Sequence, residues 1–447
     1  MSAPHPRFGT DGVRGRAIDE ISPEFCLSLG RAAARVLRAE RVVIGRDTRE
    51  SGPVLQAALA AGLAAEGVDV DDLGIVPTPA VAMFSARDGV PGVVITASHN
   101  PFHDNGVKIF GAGGTKLTDA QQEAIEAELS SILGAEPSGS IPRRVGVVTR
   151  RPLAVADYVD RIVTHFGEGS LAGLRVVLDT ANGAMCDAAP ETFRRLGADV
   201  IVLNDGPDGV NINHECGATA TDGVCAFVST MATADAGFAF DGDGDRVIAV
   251  DGTGRVVDGD RLIAMSAIDR KERGRLTGGA VVTTVMANLG FHRAMEAAGI
   301  QVVVTPVGDR HVLDAMVEGG FVLGGEQSGH IIHRDVATTG DGLVSAVAVA
   351  ELLVRSSRSL AEVAGSVMAS FPQVLRNVEV ARRPSDAAGE LADEITAVEA
   401  ELGPDGRVLV RASGTEPLVR VMVEAPTPAV ADAAVERLCA AARRRFT

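Results

Sequence analysis

A strand–helix–strand pattern that occurs three times constrains the fold of this chain more than any other feature of the sequence. Each copy has an apolar strand, a polar or glycine-containing turn, an Ala-rich amphipathic helix and a second apolar strand. The copies begin at Arg41, Arg175 and Ala280. Each helix ends just before a glycine, as at a C-terminal cap. The glycines are Gly67, Gly197 and Gly299. Because units of this length connect parallel strands through right-handed crossovers, the sequence predicts three related α/β domains.

The last stretch of the chain shows a different pattern. Three apolar strands, RNVEVA, RVLVRAS and LVRVMVEA, are accompanied by one long helix near 385–402 and a final helix near 429–444. Short strands that succeed one another around single helices are typical of an antiparallel sheet. The sequence therefore predicts a smaller C-terminal α+β domain.

The domain boundaries lie between these patterns. The segment EPSGSIP at 136–142 predicts a linker, and DGTGR at 251–255 predicts a hairpin or a crossing into the third domain. Residues 370–372 open the fourth domain. The predicted domains span 1–150, 151–254, 255–370 and 371–447.

The acidic composition excludes several classes of protein. The net charge is −17 over 447 residues, which argues against partners that are nucleic acids or anionic membranes. The five cysteines are scattered, so neither a disulfide framework nor a thiolate zinc site is predicted. The N-terminus lacks a signal pattern, and no apolar stretch reaches the roughly 18 residues that span a bilayer. We therefore expect a soluble cytoplasmic protein.

The segment ITASHNP, residues 95–101, is the first that carries chemistry, and it follows the apolar run VVIT. A strand that ends in Ser, Asn and Pro predicts an exposed loop on which the hydroxyl of Ser98 is free to react. A serine hydroxyl is a poor nucleophile unless a base or a metal ion activates it. Taken alone, the segment also fits a plain Ser/Asn/Pro turn. The surroundings lack G-x-S-x-G, which disfavours the nucleophile elbow of an α/β-hydrolase.

The segment FDGDGDR follows the apolar strand AGFAF and alternates Asp241, Asp243 and Asp245 with glycine. Alternate side chains of an extended segment point the same way, so the three carboxylates converge. Like charges so close repel unless a cation lies among them, and hard oxygen ligands favour Mg²⁺ or Ca²⁺. An EF-hand loop is excluded because Arg246 stands where that loop requires glycine. The alternative is an acidic, glycine-containing turn.

The segment GGEQSGH, residues 324–330, offers hydrogen-bonding groups on a loop flanked by glycines. Glu326, Ser328 and His330 supply acceptors and donors that suit the hydroxyls of a sugar. A polar turn is the alternative. Gly308, at the end of the third strand–helix–strand unit, is included among the substrate-binding candidates.

The segment RASGTEP combines cations with backbone and hydroxyl donors. Arg411 and Arg420 supply forked cations, and Ser413, Gly414 and Thr415 supply the donors. Together these groups would hold a phosphate, which would give an acidic chain a local cationic site. The alternative is a plain hairpin turn between two strands.

The N-terminal segment FGTDGVRG contributes Arg14, which could reach an anion, although a mobile terminus explains the segment equally well. No motif is decisive alone, but the four main motifs fall in four different predicted domains. Ligands of open α/β domains bind beyond the carboxyl ends of the strands. The set therefore predicts one site with a nucleophile, a metal, sugar contacts and a phosphate grip.

Together these segments resemble the α-D-phosphohexomutase superfamily. FGTDGVRG, TASHNPFHDNGVK, FDGDGDR, GGEQSGH and RASGTEP occur in the family order and extend over essentially the whole chain. The resemblance implies three α/β domains with mixed, largely parallel sheets and a smaller C-terminal α+β domain, arranged around a central cleft. It also implies a phosphoserine at Ser98 and one Mg²⁺ bound by that phosphoserine and by Asp241, Asp243 and Asp245.

The resemblance further implies an isomerase that transfers a phosphoryl group within a sugar phosphate. Gln327 in GEQSGH and the form FGTDGVRG resemble the glucosamine-specific branch of the superfamily. Relatives that act on mannose or glucose phosphates more often have Met in place of Gln327. The implied reaction interconverts glucosamine 6-phosphate and glucosamine 1-phosphate through glucosamine 1,6-bisphosphate and feeds UDP-N-acetylglucosamine synthesis.

The same resemblance assigns roles to the remaining candidates. Arg14 and Arg246 would stabilise the phosphoserine oxygens, and Lys108 and His99 are both candidates for proton handling. The sugar would contact Gly308, Glu326, Ser328 and His330. The non-reacting phosphate would contact Arg411, Ser413, Gly414, Thr415 and Arg420. The partner is a small-molecule sugar phosphate, and a homodimer is left open.

Three alternatives remain at the level of the sequence. The first is a phosphomannomutase/phosphoglucomutase of the same superfamily. The second is a metal-dependent serine phosphomonoesterase, which would normally need closely spaced His ligands, whereas nine His are spread along this chain. The third is a non-catalytic sugar-phosphate sensor, which would need neither a nucleophile nor a metal.

Overall fold

The computed structural model describes residues 6–9, 12–134, 144–231, 233–381, 383–413 and 417–447. The chain divides into two compact units. Unit 1 extends to Met286 and also contains Ile300–Ala364, whereas unit 2 contains Ala287–Gly299 and Gly365–Thr447. Within the described ranges, no helix is both long and apolar enough to cross a membrane.

The first sheet of unit 1 contains the first predicted strand–helix–strand unit. Its strands are β1 (Val13–Arg16), β2 (Arg41–Arg46), β3 (Asp69–Ile75), β4 (Gly92–Ile95), β5 (Asp104–Gly111), β6 (Thr115–Lys116) and β7 (Val148–Arg150). The strand order is β1-β5-β4-β2-β3-β7, and β6 pairs with β5. Strand β2 is parallel to β3 and β4, whereas β5 is antiparallel to its neighbours. The helices are α1 (Pro23–Leu37), α2 (Gly52–Ala65), α3 (Thr78–Asp88) and α4 (Asp119–Gly134).

The second sheet of unit 1 contains the second predicted strand–helix–strand unit. Its strands are β8 (Arg175–Asp179), β9 (Asp199–Leu203), β10 (Ala236–Phe240), β11 (Val247–Asp251) and β12 (Val256–Val257). The order is β12-β11-β10-β8-β9, with β10, β8 and β9 parallel and β11 and β12 antiparallel. The helices are α5 (Ala154–Phe166), α6 (Met185–Arg195) and α7 (Asp222–Thr230). The hairpin predicted at DGTGR is confirmed, since it joins β11 to β12.

The third sheet of unit 1 follows a helix, α8 (Gly259–Glu272), and a short 3₁₀ turn at Thr277–Gly279. The third predicted unit consists of β13 (Ala280–Thr284), α9 (Leu289–Ala297) and β14 (Gln301–Thr305). The remaining elements are α10 (Asp309–Gly319), β15 (Leu323–Gly325), β16 (Ile331–His333), α11 (Gly342–Ser356) and α12 (Leu360–Val367). The order is β14-β13-β15-β16, and only β16 is antiparallel to its neighbour in this part of the described chain.

Unit 2 has an antiparallel sheet, as the C-terminal pattern predicts. Its strands are β17 (Gln373–Glu379), β18 (Arg407–Ala412) and β19 (Leu418–Glu424), in the order β17-β19-β18. Its helices are α9, α13 (Ala387–Glu390), α14 (Ala392–Leu402) and α15 (Pro428–Phe446), with a 3₁₀ turn at Gly403–Asp405. The single long helix predicted near 385–402 is wrong in detail, because the backbone of Leu391 leaves the helical region between α13 and α14.

The local signals that define the repeats are confirmed. The glycines after α2, α6 and α9 all have positive φ angles, of 90°, 95° and 63°. A left-handed residue at this place lets the backbone N–H groups bond the last helical carbonyls. The predicted fold class, three α/β domains with mixed sheets and a smaller α+β domain, is confirmed by the four sheets. The linker predicted at 136–142 lies outside the described residues, and the domain boundaries remain predictions.

Candidate active site

The loop that carries Ser98 follows β4, as predicted, but Ser98 does not lie on the surface. The residue is fully buried, and its Oγ donates a hydrogen bond to Oδ2 of Asp241 at 2.6 Å. The backbone N–H of Ser98 donates to Oγ1 of Thr96 at 2.9 Å. The prediction of an exposed hydroxyl is therefore wrong, because the carboxylate that accepts its hydrogen bond covers it.

The three aspartates predicted to converge do so at the carboxyl end of β10. Asp241, Asp243 and Asp245 are all buried, and each offers a carboxylate oxygen within 4.8 Å of the others. The Oδ1 atoms of Asp243 and Asp245 are buried and accept no hydrogen bond from a described residue. Buried oxygens without a donor are destabilising unless a cation or another partner binds them. Such a set of hard oxygen ligands fits Mg²⁺.

The charge of this cluster is visible in its pKa values. Burial, followed by the charges of Asp245 and Asp243, raises the pKa of Asp241 well above its usual range. Burial alone would also raise the pKa of Asp245, but Lys108 and His330 hold it well below that range. The cluster therefore divides into a carboxyl that resists ionisation and one that its neighbours keep ionised.

Cationic and hydroxyl groups surround the aspartates. Nζ of Lys108, a buried residue on β5, lies 2.8 Å from Oδ2 of Asp243 and 2.9 Å from Oδ2 of Asp245. Oγ1 of Thr78 donates to the same Oδ2 of Asp243 at 2.6 Å. The backbone N–H of Arg246 donates to Oδ1 of Asp241 at 3.1 Å. The structure thus brings the predicted Lys108 and Arg246 to the metal-ligand candidates.

His99 and Arg14 lie at the same place. Nδ1 of His99 is 3.4 Å from Oγ of Ser98. Burial, and then the nearby charges of Arg246 and Arg14, lower the pKa of His99 to about 4. His99 is therefore a neutral imidazole at pH 7, next to the hydroxyl of Ser98. Arg14, a half-buried residue on β1, is close enough to contribute to this shift.

The predicted sugar-binding loop joins β15 to β16. Oε1 of Glu326 accepts the backbone N–H of Gly308 at 3.0 Å, so two of the predicted residues hold each other. Nδ1 of the buried His330 lies 3.7 Å from Oδ1 of Asp245, and its Nε2 accepts the N–H of Gly340 at 3.2 Å. Ser328 is exposed. The loop therefore reaches the aspartates through His330 and presents Ser328 to solvent.

The predicted phosphate-binding residues lie on the β18–β19 hairpin of unit 2. Arg411 and Arg420 are directly opposite each other in the register of this pair. Burial, followed by the charge of Arg420, lowers the pKa of Arg411. Ser413 is buried, and its N–H donates to the carbonyl of Leu418 at 2.8 Å. Gly414 and Thr415 lie outside the described residues.

Two residues that hold the Ser98 loop were missed by the sequence reasoning. Asp47 and Arg49 are completely buried, and Nε of Arg49 donates to Oδ2 of Asp47 at 2.9 Å. Arg49 also donates to backbone carbonyls of the loop, among them that of Ser98 at 2.9 Å. A signal was present, because D-x-R directly follows the first apolar strand of the first repeat. Residues at that end of a parallel strand adjoin the loops that follow its neighbours.

Comparison with known proteins gives a consistent result along the chain. Four phosphoglucomutase/phosphomannomutase descriptions match: the alpha/beta/alpha domains I, II and III at residues 5–134, 156–254 and 258–371, and the C-terminal domain at 375–441. A phosphoglucosamine mutase of Frankia casuarinae is 48% identical over 450 residues, which cover 98% of each chain. One of Saccharopolyspora erythraea is 49% identical over 442 residues, covering 96% of this chain and 97% of the relative.

The fold has counterparts among solved structures. A phosphoglucomutase/phosphomannomutase family protein of Burkholderia thailandensis superimposes with a TM-score of 0.81 at 27% identity. The alignment covers 98% of both chains. The similarity therefore extends over all four sheets rather than over one domain.

Proposed function

This chain belongs to the phosphoglucomutase/phosphomannomutase family, and we propose that it acts as a phosphoglucosamine mutase. Such an isomerase interconverts glucosamine 6-phosphate and glucosamine 1-phosphate. The observation that carries the proposal is the 2.6 Å hydrogen bond between Oγ of Ser98 and Asp241, within the buried aspartate cluster. A hydroxyl beside a cation site is what a phosphoserine enzyme requires, and the near-full-length identity to phosphoglucosamine mutases specifies the sugar.

The reaction proceeds in two phosphoryl transfers that involve Ser98. The free hydroxyl of the sugar phosphate attacks the phosphorus of phosphorylated Ser98, the bond to Oγ breaks, and the hydroxyl proton passes to a base. Glucosamine 1,6-bisphosphate results, and it must reorient. Oγ of Ser98 then attacks the other phosphate, the sugar oxygen leaves and is protonated, and the phosphoserine is restored. Such transfers depend mainly on alignment and charge neutralisation.

Asp241, Asp243 and Asp245, together with the phosphate on Ser98, would hold one Mg²⁺. The two buried Oδ1 atoms that accept no hydrogen bond from a described residue support this fit. When bound, the ion neutralises phosphate charge and polarises the phosphoryl group. Arg14 and Arg246 assist by binding phosphate oxygens, since both lie close enough to affect the pKa of His99 beside Ser98.

Proton transfer falls to His99 or Lys108, the two groups already placed at the site. His99 is supported by its 3.4 Å distance to Oγ of Ser98 and by its neutral imidazole. Lys108 is supported by its position between two aspartates, from which its ammonium can donate to a leaving oxygen. A base and an acid near the reacting oxygen are the usual requirements for such catalysis.

The remaining candidates bind the substrate. Gly308, Glu326, Ser328 and His330 contact the sugar hydroxyls, and Arg411, Ser413 and Arg420 contact the phosphate that does not react. Gly414 and Thr415 are assigned with the latter on the sequence alone. The opposed arginines on β18 and β19 support the phosphate role, because like charges directly opposite each other favour binding of an anion between them.

The setting we propose is bacterial amino-sugar metabolism in the cytoplasm. Glucosamine 1-phosphate would be consumed in the synthesis of UDP-N-acetylglucosamine for cell-wall precursors. The partner is the small-molecule sugar phosphate, and we expect no nucleic-acid partner. Light scattering would measure the oligomeric state and would detect a homodimer.

A coupled assay tests the function and separates its alternatives. The purified protein with Mg²⁺ receives glucosamine 6-phosphate, mannose 1-phosphate or glucose 1-phosphate at equal concentration, with free phosphate measured in parallel. We expect the highest kcat/KM for glucosamine 6-phosphate and no accumulation of free phosphate. A preference for mannose or glucose phosphate would reassign the chain within the family. Continuous release of phosphate would identify a phosphomonoesterase, and binding without turnover a sensor.

A further inference from the structure

The backbone of Ser98 has an uncommon conformation. Its φ angle is +52°, in the left-handed region that residues with a side chain seldom adopt. Such a conformation persists only where the surrounding structure determines it. The side-chain bond from Oγ to Asp241 fixes one end of the residue. The contacts made by the Ser98 carbonyl identify what fixes the other end.

Arg49 makes the first set of these contacts. Its Nη2 donates to the carbonyl of Ser98 at 2.9 Å and to that of Asn100 at 2.8 Å. Its Nη1 donates to the carbonyl of Asp104 at 3.1 Å and to that of Pro101. The guanidinium is completely buried, so these bonds are not exchanged with water. One side chain thus holds four carbonyls of the segment between Ser98 and Asp104.

Asn213, which follows the Ser98 loop in the sequence whereas Arg49 precedes it, makes the second set of contacts. Its Nδ2 donates to the same two carbonyls, of Ser98 at 2.9 Å and of Asn100 at 3.1 Å. Its Oδ1 is buried and accepts no hydrogen bond from a described residue. The amide must present Nδ2 to the carbonyls, because the opposite orientation would place oxygen against oxygen. The Asn213 amide thus holds the two carbonyls through Nδ2 although its Oδ1 has no hydrogen bond from a described residue. This arrangement indicates that the bonds from Nδ2 have a role.

The aspartate loop closes the remaining side of the Ser98 carbonyl. A Cβ atom at Gly242 would lie 2.7 Å from that carbonyl oxygen and 2.7 Å from Nδ2 of Asn213. Only glycine fits there without displacing the contacts. The carbonyl is therefore held between Arg49, Asn213 and the loop that carries the aspartates.

We propose that Arg49 and Asn213, which we name the carbonyl clamp, position Ser98 for phosphoryl transfer. They hold the loop in the left-handed conformation that directs Oγ to Asp241, and they do not touch the sugar. The role rests on the proposed mutase function. Reacting groups that are misplaced by about 1 Å lose roughly a hundredfold in rate. The clamp therefore acts on kcat through Ser98 rather than on substrate binding.

Asn213→Gly tests the clamp, with Asn204→Gly as the matched control. Both residues have left-handed φ angles, of 58° and 54°, so glycine preserves each backbone. Asn204 donates to Asp179 at 3.0 Å instead of to the Ser98 loop. We expect Asn213→Gly to lower kcat by about 10- to 100-fold with KM changed by less than about twofold. Asn204→Gly should leave kcat nearly unchanged. Equal losses in the two variants, or an unchanged kcat in Asn213→Gly, would overturn the proposal.

A second measurement does not depend on activity. Amide hydrogen exchange of residues 96–104 should accelerate in Asn213→Gly and not in Asn204→Gly, at similar Tm. If exchange accelerates in Asn213→Gly but the wild-type protein is inactive on every sugar phosphate, the proposed function is refuted and the clamp is not. Unchanged exchange in a protein with the expected mutase activity would refute the clamp alone.

Arg49→Lys completes the test, because lysine cannot donate to four carbonyls at once. Since Arg49 and Asn213 share two acceptors, the effects of Arg49→Lys and Asn213→Gly on kcat should be non-additive. Additive effects would contradict a shared role. If Arg49→Lys fails to fold, the pair of asparagine variants and the exchange measurement still decide the proposal.

Discussion

The charged clusters of the two units differ in which charges the fold places next to each other. In unit 1, the carboxylates of Asp243 and Asp245 lie within 3 Å of the ammonium of Lys108, so the fold itself supplies opposite charge. In unit 2, Arg411 and Arg420 oppose each other on paired strands, and the charge of Arg420 contributes to the lowered pKa of Arg411. Under the proposed function, the first cluster binds a cation beside the reacting serine, whereas the second binds the phosphate that does not react.

This difference predicts different kinetic signatures. Residues of the first cluster are held in place before the substrate binds, so their loss should act mainly on kcat. Under the proposed function, residues of the second cluster contact the phosphate of the substrate, so their loss should act mainly on KM. Variants in each unit can sharpen or break this contrast.

The largest effect is expected for Ser98→Ala. Removing the phosphoryl acceptor should lower kcat by at least about 10³-fold, because neither Asp241 nor His99 replaces it as a nucleophile. Mass spectrometry should find phosphate on Ser98 of the active wild type and none on the variant. Ser130→Ala, at an exposed position of α4, serves as the control and should retain full activity. Wild-type turnover in Ser98→Ala would show that Ser98 does not carry the phosphoryl group.

The next effect combines a loss with a gain and is expected for Asp241→Asn. In the wild type, the folded-state pKa of Asp241 is raised above its unfolded value. The ionised carboxyl therefore destabilises the metal-free protein, and this effect grows as the pH rises from the unfolded pKa to the folded pKa. The amide should therefore raise the Tm in EDTA at neutral pH, by about 1 °C for each ~1 kcal/mol gained, because unfolding 447 residues carries a large entropy. This gain should shrink as the pH falls and the wild-type carboxyl becomes protonated. Activity should fall by at least about 100-fold, since a bound cation contributes several kcal/mol.

Calorimetry completes the test of Asp241→Asn. Mg²⁺ should raise the Tm of the wild type and not that of the variant, because only binding to the folded state stabilises it. Asp393→Asn, at an exposed position of unit 2, should behave as the wild type in both measurements. Equal stabilisation of Asp241→Asn and wild type by Mg²⁺ would exclude Asp241 as a ligand.

Substitution of Arg420 by Ala tests the second cluster. A charge-assisted hydrogen bond contributes about 1.5–3 kcal/mol, so KM should rise roughly 10- to 100-fold. kcat should fall less, because the proposed contact of Arg420 is to the phosphate that does not react. Arg376→Ala is the control on the same sheet, since Arg376 is exposed and pairs with Asp432. If neither Arg420→Ala nor Arg411→Ala raised KM, the phosphate-binding role of unit 2 would be abandoned.

The sequence predicts the parts of this molecule that local periodicity encodes. The strand–helix–strand units and the glycines after their helices follow from apolar spacing and backbone preference within about 30 residues. The convergence of the aspartates follows from their alternation at the end of one strand, and the structure confirms it. Each of these inferences needs only neighbouring residues, which explains why they succeed.

Contacts between distant residues account for what the sequence reasoning missed. The burial of Ser98 depends on Asp241, 143 residues away. The carbonyl clamp joins Arg49 and Asn213 to one loop, and no local pattern predicts that meeting. The sequence predicts the third strand–helix–strand unit, yet its helix α9 belongs to unit 2. There the N–H of Leu289 donates to Glu424 at 3.2 Å, a contact that only the tertiary structure defines.

The smallest effect, expected for Ser328→Ala, sharpens the comparison most. Ser328 belongs to unit 1, but it is exposed and its hydroxyl bonds no other described residue. By contrast, Glu326 holds Gly308, and His330 accepts from Gly340. Ser328 is thus the member of its loop whose substitution leaves these internal contacts intact.

Suppose that the kinetic effect of a substitution depends on whether the residue contacts the substrate, rather than on the unit to which the residue belongs. In that case, Ser328→Ala should behave like Arg420→Ala on a smaller scale. One neutral hydrogen bond contributes about 0.5–1.5 kcal/mol, so KM for glucosamine 6-phosphate should rise roughly 2- to 12-fold at unchanged kcat. Initial-rate kinetics beside Ser130→Ala measure this directly. A fall in kcat at constant KM would instead place Ser328 with the reacting groups. Effects on kcat would then belong to unit 1 and effects on KM to unit 2. No change in either constant would remove Ser328 from the substrate contacts.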